Sequence, residues 1–326
     1  MKRAVFWGVS IAVLCLLVVA AVLLGTVPLD PSRVGAALLG RGDSETLAIV
    51  RTLRMPRAAL ALLVGAALGV SGAALQGSLR NPLAEPYLLG VSGGAAVGAV
   101  IAVALGITAT GALPLFAFAG AAVAVLTALA VSRALGGGRA DPRVLLMAGV
   151  IIGAFANAAI MILLAGAPPN TVRGALWWMM GSLSGASWVQ VRWLALYCAL
   201  AGGVLIWRAR EIDILSLGEE QAAGLGMDAR RSGQQVFLIA SFLAAATVAA
   251  AGLVGFVGLV VPHIVRAAGI RRHRALLAGS AVTGAALVIL ADIAARIAHP
   301  PLELPLGAVT ALVGVPFFLV QLRRLV

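Results

Sequence analysis

Lysine is almost absent from this sequence: Lys2 is the only one in 326 residues. The phosphate-binding loop of nucleotide hydrolases requires a lysine within a glycine-rich turn, GxxxxGK[ST], so this chain has no such loop. Cysteine and histidine are also scarce, with two and three residues. Cys15 and Cys198 lie within apolar runs, where we interpret them as small buried side chains rather than a disulfide. The sequence therefore predicts neither an ATP site nor a metal site.

Charged residues are also few, at 11% of the sequence, whereas 62% of the residues are hydrophobic and the mean hydropathy is +1.06. A soluble domain would contain about 25% charged residues. The composition therefore predicts a protein whose surface mostly faces lipid. The net charge of +12 comes from arginines at the ends of apolar runs, as membrane topology requires. Because these arginines form no basic patch interleaved with aromatic residues, we do not expect nucleic-acid binding.

Ten apolar runs are long enough to cross a bilayer, which takes about 20 residues. They fall at 4–24, 57–75, 86–105, 114–132, 144–165, 188–207, 234–251, 253–269, 276–297 and 305–322. The first run imitates a signal peptide, but it continues unbroken to Leu24, so we interpret it as a retained helix. Only Gly252 and Gly255 divide 234–269, and a single long span there would give nine helices.

The placement of basic residues predicts that both termini are cytoplasmic, because cytoplasmic loops carry an excess of lysine and arginine. With ten spans and Lys2 inside, eight basic residues remain outside. These are Arg33, Arg41, Arg51, Arg54, Arg57, Arg173, Arg192 and Arg296. The same orientation places the most polar part of the chain, at about 208–231, on the cytoplasmic side.

This polar stretch reads WRAREIDILSLGEEQAAGLGMDARRSG over 207–233 and holds five of the twelve acidic residues. Ser216 and Glu219 have the spacing of a capping box, and Gly226 is placed to end the helix in a left-handed conformation. A helix of about two turns is too short to be stable alone, since isolated helices need roughly 12–15 residues. The rest of the chain or a partner must therefore stabilise it.

Five motifs carry a resemblance to a known family. In order they are Arg54-Met-Pro-Arg57, Ser71-Gly-Ala-Ala-Leu-Gln76, RNPLAEPYLLG over 80–90, FVGLVVPHIVR over 256–266, and Glu303-Leu-Pro-Leu-Gly307. Their order and spacing resemble the FecCD/BtuC family, the permease subunits of type II ATP-binding cassette importers for cobalamin, ferric siderophores and haem. The resemblance extends from about residue 50 to the C-terminus.

The resemblance implies an all-α membrane protein with ten transmembrane helices in a single permease domain over 1–326. Such a permease works as a homodimer in the bacterial inner membrane, with two cytoplasmic ATPase subunits and a periplasmic substrate-binding protein. ATP and magnesium bind to the ATPase, so this chain would bind no cofactor and catalyse no reaction. It would move an iron chelate (a ferric siderophore or haem) or cobalamin by alternating access.

The resemblance also implies roles for particular residues. Coupling to the ATPase falls to two short cytoplasmic helices within about 208–231, at Ser216, Leu217, Gly218, Glu219, Glu220, Leu225 and Gly226. Docking of acidic residues of the binding protein falls to Arg54, Arg57 and Arg296, which could alternatively lie at the lipid interface. The gate and translocation path fall to Ala140, Asp141, Asn157 and Arg173. The gate turn reads RADPR over 139–143, whereas cobalamin permeases have small hydroxyl residues there.

Two other functions are compatible with parts of the sequence. An ion-coupled carrier working without an ATPase needs ionisable groups within its spans. Asp292 is the only acid in a predicted span, and Arg296 follows one turn later. An intramembrane serine protease would instead use Ser71 or Ser92, each within a GVSG sequence, beside His263.

Overall fold

The computed structural model describes residues 2–107, 111–135 and 142–322, which are mostly helical and contain no β-strand. Sixteen α-helices follow one another in these ranges. They are α1 (Lys2–Leu23), α2 (Pro31–Leu38), α3 (Ser44–Ala48), α4 (Met55–Ser78), α5 (Val91–Ala104), α6 (Ala112–Leu135), α7 (Pro142–Ala165), α8 (Pro169–Met179), α9 (Trp188–Tyr197), α10 (Gly203–Trp207), α11 (Ala209–Leu215), α12 (Glu219–Gly224), α13 (Ala229–Ala251), α14 (Val257–Ala267), α15 (His273–Ile297) and α16 (Leu306–Leu322).

Seven helical stretches of the described residues are long and apolar enough to cross a membrane. They are α1, the continuous stretch from α3 to α4, α6, α7, the continuous stretch from α9 to α10, α13 and α15. Three further helices, α5, α14 and α16, are apolar but shorter. Each of the ten predicted runs thus contains an apolar helix, and seven of these helices have the length of a span.

The long span that could have joined residues 234–269 does not form. α13 ends at Ala251 and α14 begins at Val257, with Gly252 and Phe256 both at positive φ between them. Gly252 lies so close to Trp178 O that a Cβ would be 2.4 Å from that oxygen. The glycine is therefore needed both for its backbone angle and for the close approach.

Two predicted boundaries move when the chain folds. α5 begins at Val91 rather than at residue 86, because Pro86–Leu89 forms a 3-10 turn. α13 begins inside the polar stretch, where Asp228 Oδ1 accepts a hydrogen bond from Arg231 N at 3.0 Å and caps the helix. A carboxylate at this position satisfies one of the free N–H groups of a helix start.

α4 and α15 form an antiparallel pair at the centre of the bundle. At Gly65 a Cβ would lie 2.1 Å from Gly284 O, and at Gly69 it would lie 2.2 Å from Ser280 O. Small residues allow helix backbones to touch in lipid, where close packing replaces the hydrophobic driving force between helices. The glycines of α4 are therefore packing residues that determine how the two helices fit.

α1 lies at the edge of the bundle. Of its most apolar 18-residue window only 6% is buried, against 78% for the span that contains α4. The prediction that both cysteines are buried is wrong for Cys15, which is exposed on α1, whereas Cys198 is half-buried. α1 packs through one face only, so an apolar residue on its other face stays on the surface.

Candidate functional sites at the two ends of the bundle

The polar stretch folds into α11 and α12, which confirms that two short helices lie between α10 and α13. The predicted capping box is wrong. Ser216 has helical backbone angles and ends α11, so its hydroxyl donates to Asp213 O at 2.6 Å instead of capping α12. Gly218, with φ of +118°, precedes α12, and Gly226 has the predicted left-handed conformation with φ of +76°.

α12 is held by contacts within this chain. The Glu219 carboxylate lies 3.7 Å from Arg80 Nη2 and 3.5 Å from Arg230 Nε. Arg80 follows α4 and Arg230 lies in the first turn of α13, so one carboxylate connects α12 to both. Both ion pairs are partly exposed, and such pairs contribute only about 0–1 kcal/mol each. Ala222, which is completely buried, adds an apolar anchor beneath the helix.

The outward face of this segment has no partner among the described residues. Leu217 and Leu225 are 59% and 63% exposed, and Glu220 is also exposed. We define the coupling face as these three residues. Exposed apolar side chains are ordinary against lipid, but here they accompany charged residues in the most polar part of the chain. An apolar surface rimmed by polar groups is typical of a protein interaction site.

At the opposite end of the bundle, Arg57 near the start of α4 binds two carboxylates. Its Nε donates to Asp292 Oδ1 at 2.9 Å, and its Nη1 and Nη2 donate to the two oxygens of Glu303 at 2.7 and 2.9 Å. Arg296 Nε lies 3.1 Å from Asp292 Oδ2 in an ion pair without hydrogen-bond alignment. Asp292 therefore lies between two guanidinium groups, and only 2% of its side chain is exposed.

Two arginines also bind the C-terminal end of α1. Arg54 Nη1 donates to Val22 O and Leu23 O at 2.9 and 2.6 Å, and Arg296 Nη1 donates to Leu24 O at 3.0 Å. The last carbonyl groups of a helix have no helical donor, and a positive charge is favourable beside them. The arginines thus complete the hydrogen bonding of α1.

The three arginines predicted to dock a binding protein therefore come together, at the end of the bundle away from the coupling face. We define the arginine cluster as Arg54, Arg57 and Arg296 with Asp292 and Glu303. Each guanidinium already has partners within the chain, and the residues Arg54 and Arg296 are only 5% and 4% exposed. Docking by these residues stays a prediction, and a partner would compete with the internal bonds.

A third polar contact joins the last turn of α4 to α14. Pro262 lies within α14 and has no N–H, so the carbonyl of Gly258, four residues earlier, loses its helical donor. Gln76 Nε2 donates to Gly258 O at 3.1 Å and to Leu259 O at 3.3 Å. Arg266 Nη1 donates to Gln76 Oε1 at 2.6 Å, which orients the amide. Two of the five motifs thus contact each other and satisfy the backbone of an interrupted helix.

Replacing Gln76 with leucine should destabilise the protein by about 1–3 kcal/mol, the cost of a buried polar group left without a partner. The substitution removes the donor to Gly258 O and the acceptor of Arg266 together. Thermal unfolding of the purified protein in detergent measures the loss. A matched control is Gln234→Leu, because the side-chain hydrogen bond described for Gln234 is to an exposed Arg133, at 2.8 Å. Equal melting temperatures for the two variants would contradict this role of Gln76.

The connection from α4 to α5 returns into the bundle and supports the break between α13 and α14. Glu85 is 8% exposed, and its Oε1 accepts a hydrogen bond from Phe256 N at 2.6 Å. Tyr87 Oη accepts one from Val254 N at 3.1 Å. The N–H groups of this non-helical segment therefore have side-chain acceptors, as buried backbone requires.

Only part of the predicted gate and path can be located. Ala140 and Asp141 lie outside the described residues. Asn157 is exposed on α7 and Arg173 is exposed on α8. Arg173 borders a mostly apolar groove between the end of α7 and α8, with Leu164, Ala165, Ala167, Pro169, Val172, Leu176, Trp177 and Met180. Asn157 and Arg173 thus remain accessible, which a role in a translocation path requires.

The described residues do not form the site of a serine protease. Ser71 Oγ donates to Ala240 O at 2.7 Å, and Ser92 Oγ donates to Tyr87 O at 3.0 Å. His263 Nδ1 lies 2.8 Å from a carbonyl of its own helix. In the described ranges, no group of three or more His, Cys, Asp or Glu residues could hold a metal ion.

This chain is similar to known proteins in both sequence and structure. Residues 13–324 match the sequence model of the FecCD transport family. The cobalamin import system permease protein BtuC of Halobacterium salinarum is 43% identical over 290 residues, which are 88% of this chain and 77% of that protein. The Fe(3+)-citrate import system permease protein YfmE of Bacillus subtilis is 35% identical over 312 residues, covering 95% and 92% of the two chains. A solved structure assigned to the metal-chelate type of ABC transporters, in an inward-facing conformation, superimposes with a TM-score of 0.86 at 26% identity and covers 99% of both chains.

Proposed function

Because the chain belongs to the FecCD transport family, we propose that it is the membrane-spanning permease subunit of an ATP-binding cassette importer. Such a permease works with ATPase subunits and a substrate-binding protein and does not itself hydrolyse ATP. The observation that best supports this function is the coupling face, an unpartnered surface on the most polar segment of a chain without a phosphate-binding loop. That face requires a partner, and a separate ATPase is a partner that supplies the missing nucleotide site.

The proposed membrane arrangement has ten spans, with α5, α14 and α16 as the shorter ones. Gly258 at the start of α14 lies against Leu68 O in the middle of α4, which indicates that α14 begins partway through the bundle. The coupling segment and both termini then lie on the cytoplasmic side of the inner membrane. α1 begins at that side, because Phe6 lies against Gly279 near the start of α15.

The substrate that we propose is a metal chelate, either an iron complex (a ferric siderophore or haem) or cobalamin. Relatives named for cobalamin import and for Fe(3+)-citrate import both resemble this chain over most of its length. In the proposed homodimer, the path follows the axis between the two copies, with Asn157 and Arg173 beside it and the sequence segment that contains Ala140 and Asp141 as its gate. Docking of the binding protein at the arginine cluster belongs to the same proposal.

Transport then follows from a shift between two conformations. A ligand increases the population of the conformation that it binds better. ATP binds the closed state of the ATPase pair better, so it favours closure. Closure would move α11 and α12 through the coupling face. Glu219 connects α12 to Arg80 after α4 and to Arg230 in α13, so a displacement of these short helices would be passed to the bundle.

Reversing the charge of Glu220 should reduce ATP-driven uptake by about tenfold, which corresponds to roughly 1.4 kcal/mol of lost binding to the ATPase. Glu220 is exposed, so Glu220→Arg changes the coupling face without breaking an ion pair described within the chain. The measurement is uptake of cyanocobalamin or ferric citrate into proteoliposomes that contain this chain, its ATPase and its binding protein.

The control for this experiment is Glu45→Arg, a charge reversal at an exposed acid in α3, at the opposite end of the bundle. Unchanged uptake in Glu220→Arg would contradict the coupling assignment. Uptake by the wild type that proceeds without any ATPase would contradict the proposed function as a whole.

A carrier that works without an ATPase is not supported. Its candidate proton or ion site, Asp292, is enclosed between Arg57 and Arg296 and connects helices at one end of the bundle. The relatives compared above are named as import system permeases, and the solved structure that superimposes on this chain is an ABC transporter.

A further inference from the structure

We infer that Asp213 and His273 form the joint through which the coupling segment moves α4 and α15 as one body. The inference rests on the proposed function and assigns a positioning role to two residues away from the coupling face. No spacing rule in the sequence connects His273 to Asp213, which lies 60 residues earlier.

One oxygen of Asp213 makes both bonds of the joint. Asp213 Oδ1 accepts a hydrogen bond from His273 N at 2.9 Å and lies 2.7 Å from His273 Nδ1. His273 is the first residue of α15, so its N–H has no acceptor within the helix. A carboxylate at that end is also favoured by the helix dipole. α11 therefore supplies the N-terminal cap of α15 from a separate segment of the chain.

The joint lies where three helices meet, and it pairs a buried histidine with an aspartate whose side chain is 40% exposed. His273 is 6% exposed, and its ring lies against Gly77 of α4, where a Cβ would be 2.4 Å from Nε2. Ile212, which precedes Asp213 in α11 and is completely buried, reaches the same point, with Cγ2 at 2.6 Å from that Cβ position. A displacement of α11 thus presses directly on both α4 and α15.

Beyond the joint, α4 and α15 are fixed to each other along their length. Gly65 lies so close to Gly284, and Gly69 to Ser280, that an added Cβ would overlap the facing backbone. At the far end, Arg57 of α4 binds Asp292 of α15. We therefore expect α4 and α15 to move together, because a closely packed interface does not deform continuously. With 25 residues, α15 extends over about 37 Å, given a rise of 1.5 Å per residue.

The alternative connection through Glu219 is weaker. Its distances to Arg80 and Arg230 are 3.7 and 3.5 Å, and both pairs are partly exposed. The joint has two shorter contacts to one oxygen, and its histidine is buried. We therefore expect that motion of the coupling segment reaches the far end of the bundle mainly through Asp213.

The test is the number of substrate molecules imported per ATP hydrolysed in proteoliposomes that contain the whole importer, with cyanocobalamin and ferric citrate as probes. Asp213→Ala should lower this ratio by roughly fivefold or more, the scale of a typical coupling free energy between two sites. ATP hydrolysis should continue, because the coupling face is unchanged. The matched control is Asp228→Ala, which removes an acid of the same segment whose described bond is a local cap of α13.

A second pair of variants separates coupling from folding. Asparagine can place an amide N–H near the position of His273 Nδ1, whereas alanine has no donor. His273→Asn should therefore retain a higher ratio than His273→Ala at similar melting temperatures. Equal ratios for these two variants, or a wild-type ratio in Asp213→Ala, would overturn the joint. Wild-type liposomes that import neither probe with ATP, and neither haem nor a ferric siderophore, would overturn the proposed function instead, and the joint with it.

Discussion

Asp292→Ala should lower the free energy of unfolding by about 3–5 kcal/mol, the cost of removing one partner from a buried ion pair. Asp292 is the acid that lies between Arg57 and Arg296, and only 2% of its side chain is exposed. Without it, Arg296 loses the carboxylate with which it forms an ion pair, and two guanidinium groups face each other. Unfolding by titration with sodium dodecyl sulfate measures the change.

The control is Arg33→Ala, which breaks another arginine–aspartate pair, with N and O 2.7 Å apart, on the surface. The Arg33 guanidinium holds the pKa of Asp43 below its usual range, but both side chains are about half exposed. Water and salt screen such a pair, and its loss should barely change the unfolding midpoint. If Asp292→Ala were as stable as Arg33→Ala, the arginine cluster would not stabilise the fold.

The second large effect is expected at Gly65, where alanine should cost about 3 kcal/mol, near the upper end for overpacking a core. The added Cβ would lie 2.1 Å from Gly284 O. The Cβ is bonded directly to the backbone of α4, and the Gly284 oxygen belongs to the backbone of α15, so neither atom can rotate away. α4 must therefore separate from α15 along its length. Melting temperature and the yield of folded protein in detergent both report this change.

Gly8→Ala is the matched control for Gly65→Ala, because Gly8 lies within α1 and a Cβ there meets nothing within 4 Å. Alanine in a helix interior is favoured over glycine by roughly 0.5–1 kcal/mol. Gly8→Ala should therefore be neutral or slightly stabilising. A folded, equally stable Gly65→Ala would show that the pair is loosely packed and would also weaken the rigid-body argument.

The helices could be predicted from the sequence because lipid requires long apolar runs whose backbone bonds are satisfied internally. Their ends were predicted less well. Ser216 has the spacing of a cap, but whether it caps α12 or ends α11 depends on how closely the two helices follow each other. That distance is set by Ile212 and Ala222, which are buried against the rest of the bundle.

The arginine cluster contains ion pairs that residue spacing in the sequence cannot predict. The i,i+4 spacing of Asp292 and Arg296 predicted one ion pair, and the excess of arginines on the outer side marked the region. The partners of Arg57 lie 235 and 246 residues away, so only the fold identifies them. Gln76 could have been found by another signal. A proline inside a helix frees the carbonyl four residues earlier, and an amide in a neighbouring motif is a suitable donor.

The two arginines at the end of α1 also have a consequence for the order in which the chain is built. Arg54 follows its carbonyl partners in α1 by only 31 and 32 residues. Arg296 follows its partners by 272 and 275 residues. The bonds from Arg54 to the end of α1 can therefore form early in synthesis, whereas those from Arg296 must wait until α15 has been made.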